Sequence, residues 1–299
     1  MSGEIEFDSV TKRYPVPRRA KRQGTGTAAG PAVDAFSATI APGTTTVLLG
    51  SSGSGKTTLM RMVNRMVEPS SGRVLIDGED VAGRDPVALR RSIGYVMQNG
   101  GLLPHRRVID NITLVPRLNG TGRAQAAHRA HELMDILGLD PALAERYPHE
   151  LSGGQAQRVG VARALAADPA ILLMDEPFGA VDPLVRRELQ AETARLQREL
   201  GKTILFVTHD VDEALALGDE IIVLREGARI AQRGSGPQIL HHPADAFVER
   251  FLGLDDDIRA SRLRETAVRD SGASPAPAPA AVPPAAAAPA PERAEVPRP

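Results

Sequence analysis

Apolar runs that stop abruptly on polar residues mark the middle of the chain. TTTVLLG (44–50), ILLMDEP (171–177) and TILFVTHD (203–210) are of this kind. A strand covered on both faces has such a run, whereas a strand covered on one face alternates. Residues 4–10 do alternate and predict a half-buried strand, and VLIDG (74–78) predicts a strand entering a turn. Helical spacing appears in two places. In KTTLMRMVNRMV (56–67) it joins Leu59, Met62, Val63 and Met66, and in 124–139 it joins Leu133, Ile136 and Leu137. Residues 155–167 predict a further helix. Strands alternating with helices imply an α/β fold with a mostly parallel sheet. Its chemistry would collect at the carboxyl ends of the strands.

Two segments stand outside this pattern. PVPRRAKRQGTGTAAGPA, from Pro15 to Ala32, is rich in Pro, Gly and basic residues and reads as an exposed loop. Its Arg18, Arg19, Lys21 and Arg22 read either as a solvated surface cluster or as a phosphate or lipid contact. Beyond Asp270 the chain becomes SGASPAPAPAAVPPAAAAPAPERAEVPRP. Prolines break any helix there and few large apolar groups are available to bury, so this tail is expected to be disordered.

Composition narrows the function classes. The 299 residues carry 36 basic and 37 acidic side chains, a net charge of -1, which argues against a general nucleic-acid binder. There are no cysteines, which excludes disulfide scaffolds, iron–sulfur clusters and thiol catalysis. No apolar run approaches the ~18 residues of a membrane span. Glu4, Glu6 and Asp8 stand where a signal peptide would be positive and then apolar. The expectation is a cytosolic protein that reaches a membrane only through a partner.

The strongest chemical signal is Gly50-Ser51-Ser52-Gly53-Ser54-Gly55-Lys56-Thr57, which fits G-x-x-x-x-G-K-[ST] between a strand and a helix. Glycines let backbone N–H groups wrap a polyphosphate, and the positive helix end faces the same anion. Lys56 would reach the β- and γ-phosphates, and the Thr57 hydroxyl would bind Mg²⁺. Downstream, the strand ending at Met174 runs into Asp175-Glu176. Strand side chains alternate in direction, so Asp175 would hold Mg²⁺ through water while Glu176 polarises the attacking water. Leu151-Ser152-Gly153-Gly154-Gln155 then places two glycines at a second helix start. Two anion-reading helix ends suggest a head-to-tail pair of subunits, each offering one end to the other's nucleotide.

On these residues the chain resembles an ABC-transporter ATPase subunit, from about Ile5 to Gly253. In that likeness Ser152-Gly153-Gly154-Gln155 is the signature, acting on the partner subunit's ATP. Tyr14 matches the aromatic residue that stacks on adenine, and Gln98 the glutamine that senses Mg²⁺ and the γ-phosphate. Val181-Asp182 matches the end of the D-loop, with Val181 where the family usually has Leu, and His209 matches the switch histidine. The resemblance implies a nucleotide-binding set of Tyr14, Gly50 to Lys56, Thr57 and Thr58. Its catalytic set is Glu176, His209 and Gln98, and its metal set is Thr57, Gln98 and Asp175, with ATP and Mg²⁺ as cofactors. The implied fold is that of a P-loop NTPase with an antiparallel β subdomain and a helical subdomain of about 90–160 inserted in residues 1–253. A charged extension, 254–270, and the tail, 271–299, would follow.

The finer likeness is to ATPases of quaternary-amine osmolyte importers (glycine betaine, carnitine, choline, proline). It is carried by MRMVNRMVEPSSGRVLIDGEDV, IGYVMQNGGLLPHRRV, YPHELSGGQAQRVGVARALAADPAILLMDEPFGAVDP and GKTILFVTHDVDEALALGDEI. Longer members carry paired CBS modules, and here a short charged segment and the Ala/Pro tail stand in that position, which puts that mode of regulation in doubt. The implied partners are a second copy, integral permease subunits on the inner face of the membrane and, indirectly, an extracytoplasmic binding protein. Two alternatives remain: an importer ATPase for an amino acid or polyamine, and a soluble non-transport ABC ATPase. Such an ATPase does not touch its cargo, and three Tyr with no Trp leave little material for an aromatic cage.

Overall fold

The computed structural model describes residues 2–15, 30–98, 100–179, 182–255 and 261. Most of the basic loop, Val181 and the Ala/Pro tail therefore lie outside the described residues. The chain opens with strands β1 (Ile5–Lys12), β2 (Val33–Ile40) and β3 (Thr45–Gly50), then helix α1 (Lys56–Val63). β4 (Ser71–Ile76), β5 (Glu79–Asp80), α2 (Pro86–Ser92) and β6 (Ile93–Val96) follow. Between β6 and the next strand the described residues form helices α3 (Val108–Ile112), α4 (Leu114–Leu118), α5 (Arg123–Ile136) and α6 (Gly153–Leu165), with short 3-10 turns. The remainder is β7 (Ile171–Asp175), α7 (Pro183–Leu200), β8 (Thr203–Thr208), α8 (Val211–Leu217), β9 (Glu220–Arg225), β10 (Arg229–Gly234), α9 (Gly236–His241) and α10 (Ala246–Leu252).

Two sheets form. One is antiparallel, in the order β2-β1-β4-β5, and the other runs β10-β9-β3-β8-β7-β6. In the second, β9, β3, β8, β7 and β6 are mutually parallel and only β10 is reversed. The continuous apolar runs divide by parity. Val47, Leu172, Met174, Ile204 and Phe206 enter a core shared with the helices after β6, while Leu48, Leu173, Leu205 and Val207 enter a second core against the antiparallel sheet. Period-two alternation thus feeds two apolar layers, which is why the runs Val47–Leu49, Ile171–Met174 and Ile204–Val207 are continuously apolar. α1 sits in the second core, with Leu59, Met60, Met62 and Val63 buried.

Helix boundaries depart from the expected ones for local reasons. α1 ends at Val63, because Arg65 turns into the left-handed region (φ 54) and the Met66 and Val67 amides return to the Arg61 carbonyl. Met66, expected on the apolar stripe, is exposed. α5 ends at Ile136, and left-handed Gly138 (φ 58) turns the chain so that Leu137 and Leu139 are still buried. α6 starts two residues early because Ser152 caps it.

Phe206 is fully buried, with its ring centroid 5.8 Å from that of Phe178 in the turn after β7. Phe206→Ala is expected to cost about 3–5 kcal/mol of unfolding free energy, read from the urea midpoint at unchanged m-value.

Candidate active site

The parallel sheet brings four strand ends to one edge. β3 leads into the glycine-rich loop, β6 into Gln98, β7 into Asp175-Glu176 and β8 into His209. Two glycines of the loop use backbone conformations that other residues rarely adopt. Gly53 (φ 82) and Gly55 (φ 101) are left-handed, a region open to glycine at little cost. A Cβ at Gly55 would stand 2.5 Å from the Ala32 carbonyl oxygen, so this glycine also permits a close backbone approach.

Lys56 is 5% exposed. Its Nζ donates to the carbonyl oxygens of Gly50 (2.6 Å) and Ser51 (2.8 Å) and reaches Oγ of Ser54 at 3.4 Å. Burial lowers its pKa from the ordinary lysine value, and the Glu176 and Asp175 carboxylates oppose that shift. The ammonium is therefore held at the centre of the loop by the loop's own oxygens.

Thr57 Oγ1 donates to Asp175 Oδ1 at 3.0 Å, so two of the three expected metal ligands meet, while the third, Gln98, bonds Glu176. One hydroxyl and one carboxylate make a hard-oxygen set that leaves most positions to water and phosphate, which fits Mg²⁺. Among the described residues no cluster of three or more His, Asp or Glu offers a competing metal site. Two further groups reach Asp175 that the sequence reading missed. The Tyr95 hydroxyl donates to Oδ2 at 3.2 Å, and Arg61 Nη2 lies 3.7 Å from the same oxygen. Arg61 also hydrogen-bonds Tyr95, which raises the guanidinium pKa, while burial, then the Asp175 charge, raises that of the phenol. Arg61 had a sequence signal, since it lies one helical turn after Thr57. Tyr95 had none beyond its place before Gln98.

Glu176 is positioned by a different device from the one expected. β7 ends at Asp175, and Glu176 has φ 44, so left-handed backbone rather than strand alternation separates the two carboxylates. Its amide donates to the Val207 carbonyl at 2.9 Å. Gln98 Nε2 donates to Glu176 Oε2 at 3.4 Å, and His209 Nδ1 lies 3.3 Å from Oε1. One carboxylate is thus flanked by the two residues expected to act with it. Tyr14 is 53% exposed beside α1, its hydroxyl 3.4 Å from Thr58 Oγ1 and Lys12 Nζ 5.3 Å from its ring centroid.

Ser152 to Gln155 lie elsewhere. Ser152 and Gln155 form a reciprocal cap: Ser152 Oγ accepts from the Gln155 amide (3.3 Å), and Gln155 Oε1 from the Ser152 amide (2.9 Å). Ser152 and Gly153 are exposed. Among the described residues no hydrogen bond or ion pair joins this cap to the phosphate loop. Behind His209, Thr208 donates to Oε2 of the buried Glu213 at 2.7 Å, and Asp210 caps α8 through the amides of Asp212 and Glu213.

A family model described as ABC transporter matches residues 33–179. The chain is 53% identical over 224 residues to the glycine betaine/carnitine/choline transport ATP-binding protein OpuCA of Bacillus subtilis (strain 168), covering 75% of this chain and 59% of that protein. It therefore spans about three fifths of that relative's length. It is 46% identical over 264 residues to the glycine betaine uptake system ATP-binding protein YehX of Escherichia coli (strain K12), covering 88% and 81% of the two chains. A solved dimeric bacterial ABC transporter cassette superposes with a TM-score of 0.67 at 32% identity, over 77% of this chain and 98% of that one.

Burial raises the Glu213 pKa, with Asp210 adding to the shift and Thr208, Arg186 and His209 opposing it. A folded-state pKa above the unfolded one means that stability from this group is full below the ordinary glutamate range and is lost as pH rises through the raised value. Glu213→Gln removes that loss and can keep the Thr208 hydrogen bond. The variant's melting temperature should therefore gain on the wild type as pH rises from the ordinary glutamate range through the raised Glu213 value, then run parallel to it.

Proposed function

The chain belongs to the ABC transporter family, and from that premise we propose that it is the ATP-hydrolysing subunit of an importer for a quaternary-amine osmolyte such as glycine betaine, carnitine, choline or proline. The observation that carries the enzymatic part is the Glu176 carboxylate held between Gln98 and His209, at the same sheet edge as Lys56 and Thr57. The cargo class is supported by the names of the relatives and by the sequence stretches shared with that subfamily. We further assign residues 1–253 to the ATPase domain, with a helical subdomain of about 90–160.

In this reading Tyr14 stacks on adenine and the amides of the Gly50–Thr58 segment cradle the phosphates. Lys56 exchanges the loop carbonyls for β- and γ-phosphate oxygens. Thr57 and Asp175, with Gln98, would hold Mg²⁺, and the bound ion supplies charge neutralisation at the β- and γ-oxygens. Arg61 and Tyr95 hold Asp175 in place. Glu176 polarises a water that attacks the γ-phosphorus. The bond to the β-phosphate oxygen breaks, ADP leaves with that electron pair, and the water proton passes to Glu176. His209 keeps Glu176 turned towards the γ-phosphate.

The exposed Ser152 cap is the complement of a phosphate loop on a second copy, in a head-to-tail dimer with two composite sites. Among the described residues no helix is long and apolar enough to cross a membrane. The proposed dimer therefore docks on separate permease subunits at the inner face of the membrane, and an extracytoplasmic protein delivers the osmolyte.

Glu176→Gln should keep ATP binding, cut turnover by about 10²–10⁴-fold and trap an ATP-bound dimer visible by light scattering. Normal turnover in that variant would remove Glu176 from its role. Ser152→Arg and Lys56→Ala should each be inactive alone. Their equimolar mixture should recover up to about a quarter of wild-type turnover, because half the dimers pair one intact Lys56 with one intact Ser152. No recovery from folded subunits would refute the composite site.

A further inference from the structure

Arg163 takes no part in the chemistry described so far. It lies on α6, the helix that Ser152 caps, and is 8% exposed. Its Nη1 donates to the Gly101 carbonyl at 2.7 Å and its Nη2 to the Gly100 carbonyl at 2.8 Å. Both acceptors closely follow Gln98. Among the described residues no carboxylate lies within ion-pairing distance of Arg163. Burial lowers its pKa with nothing to oppose the shift. A buried guanidinium with only carbonyl partners is a costly way to pack a helix, since an apolar side chain of similar volume avoids the desolvation.

The surrounding backbones are shaped to receive this contact. A Cβ at Gly160 on α6 would stand 3.2 Å from the Gly100 carbonyl oxygen and 3.3 Å from its Cα. A Cβ at Gly100 (φ 66) would stand 3.2 Å from the Ala156 carbonyl oxygen, and Gly101 is also left-handed (φ 57). The loop carrying Gln98 therefore lies directly on α6, and the planar fork of Arg163 takes two successive carbonyls at once. A lysine ammonium cannot reproduce that two-point geometry.

We propose that Arg163 is a positioning residue that fastens the Gln98 loop to the helix capped by Ser152, so that the two move as one body. The inference rests on the nucleotide roles assigned above to Gln98 and Ser152. Gln98 answers to the nucleotide on its own chain and Ser152 to the partner's. A rigid link between them makes closure over one nucleotide drive closure over the other, a reciprocal coupling between sites.

The test compares full-length wild type, Arg163→Lys and Arg163→Gln. Three quantities are read: ATP affinity by equilibrium binding, kcat per folded protein, and hydrogen exchange of the amides of residues 100–103 and 56–63. Arg163→Gln should leave ATP affinity within about twofold and lower kcat about tenfold, the signature of lost alignment rather than lost binding. Exchange at 100–103 should rise at least about tenfold while 56–63 is unchanged. Arg163→Lys should fall between the two. A folded Arg163→Gln protein with wild-type kcat and wild-type protection at 100–103 would overturn the proposal. If Arg163→Gln does not fold, Arg163→Lys decides by the same readouts: wild-type kcat and protection overturn the proposal, and a lowered kcat with faster exchange at 100–103 and unchanged ATP affinity supports it. A wild type that hydrolyses no ATP would instead defeat the functional reading, and the exchange measurement would still report on the clamp.

Discussion

A buried ammonium governs the geometry of this molecule's reactive edge. Lys56 cannot be left in an apolar interior without oxygens around it, and the loop that precedes it supplies them from Gly50, Ser51 and Ser54. Satisfying one cation therefore shapes the loop around the position that polyphosphate oxygens need. The loop is also braced from behind. The Ala228 amide donates to the Ser54 carbonyl at 2.8 Å, and Gly55 leaves room for the Ala32 carbonyl. The loop is thus held in shape by contacts of its own chain, and such bracing lowers the ordering cost of binding.

The parallel sheet supplies the frame for this loop. Strands buried on both faces are stiff because each side chain packs into one of two cores, and their ends present Gln98, Asp175, Glu176 and His209 along one edge. Several non-glycine residues have left-handed backbone, Arg65 among them, and one of them, Glu176, lies at this edge. A left-handed backbone at a non-glycine residue costs about 1–2 kcal/mol, and Glu176 carries it where its carboxylate meets Gln98 and His209. The Val207 carbonyl and the turn to Gly179 hold it there. Strain of this kind persists where the surroundings over-determine it, which is typical of a reactive site.

The two helix ends proposed to read anions differ in their surroundings. The one at Lys56 faces carboxylates, a phenol and a guanidinium of its own chain, whereas the one capped by Ser152 faces outwards. Such asymmetry suits the proposed composite site, in which each helix end would need the other from a second copy. It also gives the segment between β6 and β7 a purpose. That segment carries the outward-facing end, and its α6 is tied back to the Gln98 loop at the sheet edge.

The sequence by itself determined whatever rests on near neighbours in the chain. The phosphate loop is legible because its glycines, Lys56 and Thr57 are contiguous and its mechanism needs no distant residue. The two-faced strands are legible because alternation and its absence are local properties, and the Ser152–Gln155 cap spans a single turn. Tertiary structure alone decided the contacts between distant positions. Tyr95 reaches Asp175 because β6 and β7 pair in parallel with Tyr95 opposite Leu173, a register fixed by packing rather than by either strand's composition. The same holds for Arg163 against Gly100 and Gly101, on a loop whose close approach to α6 is eased by Gly160. Strand alternation pointed to the right separation of Asp175 and Glu176 for the wrong reason. A single backbone angle, set by hydrogen bonds to β8 and to the following turn, leaves no periodicity in the sequence to read.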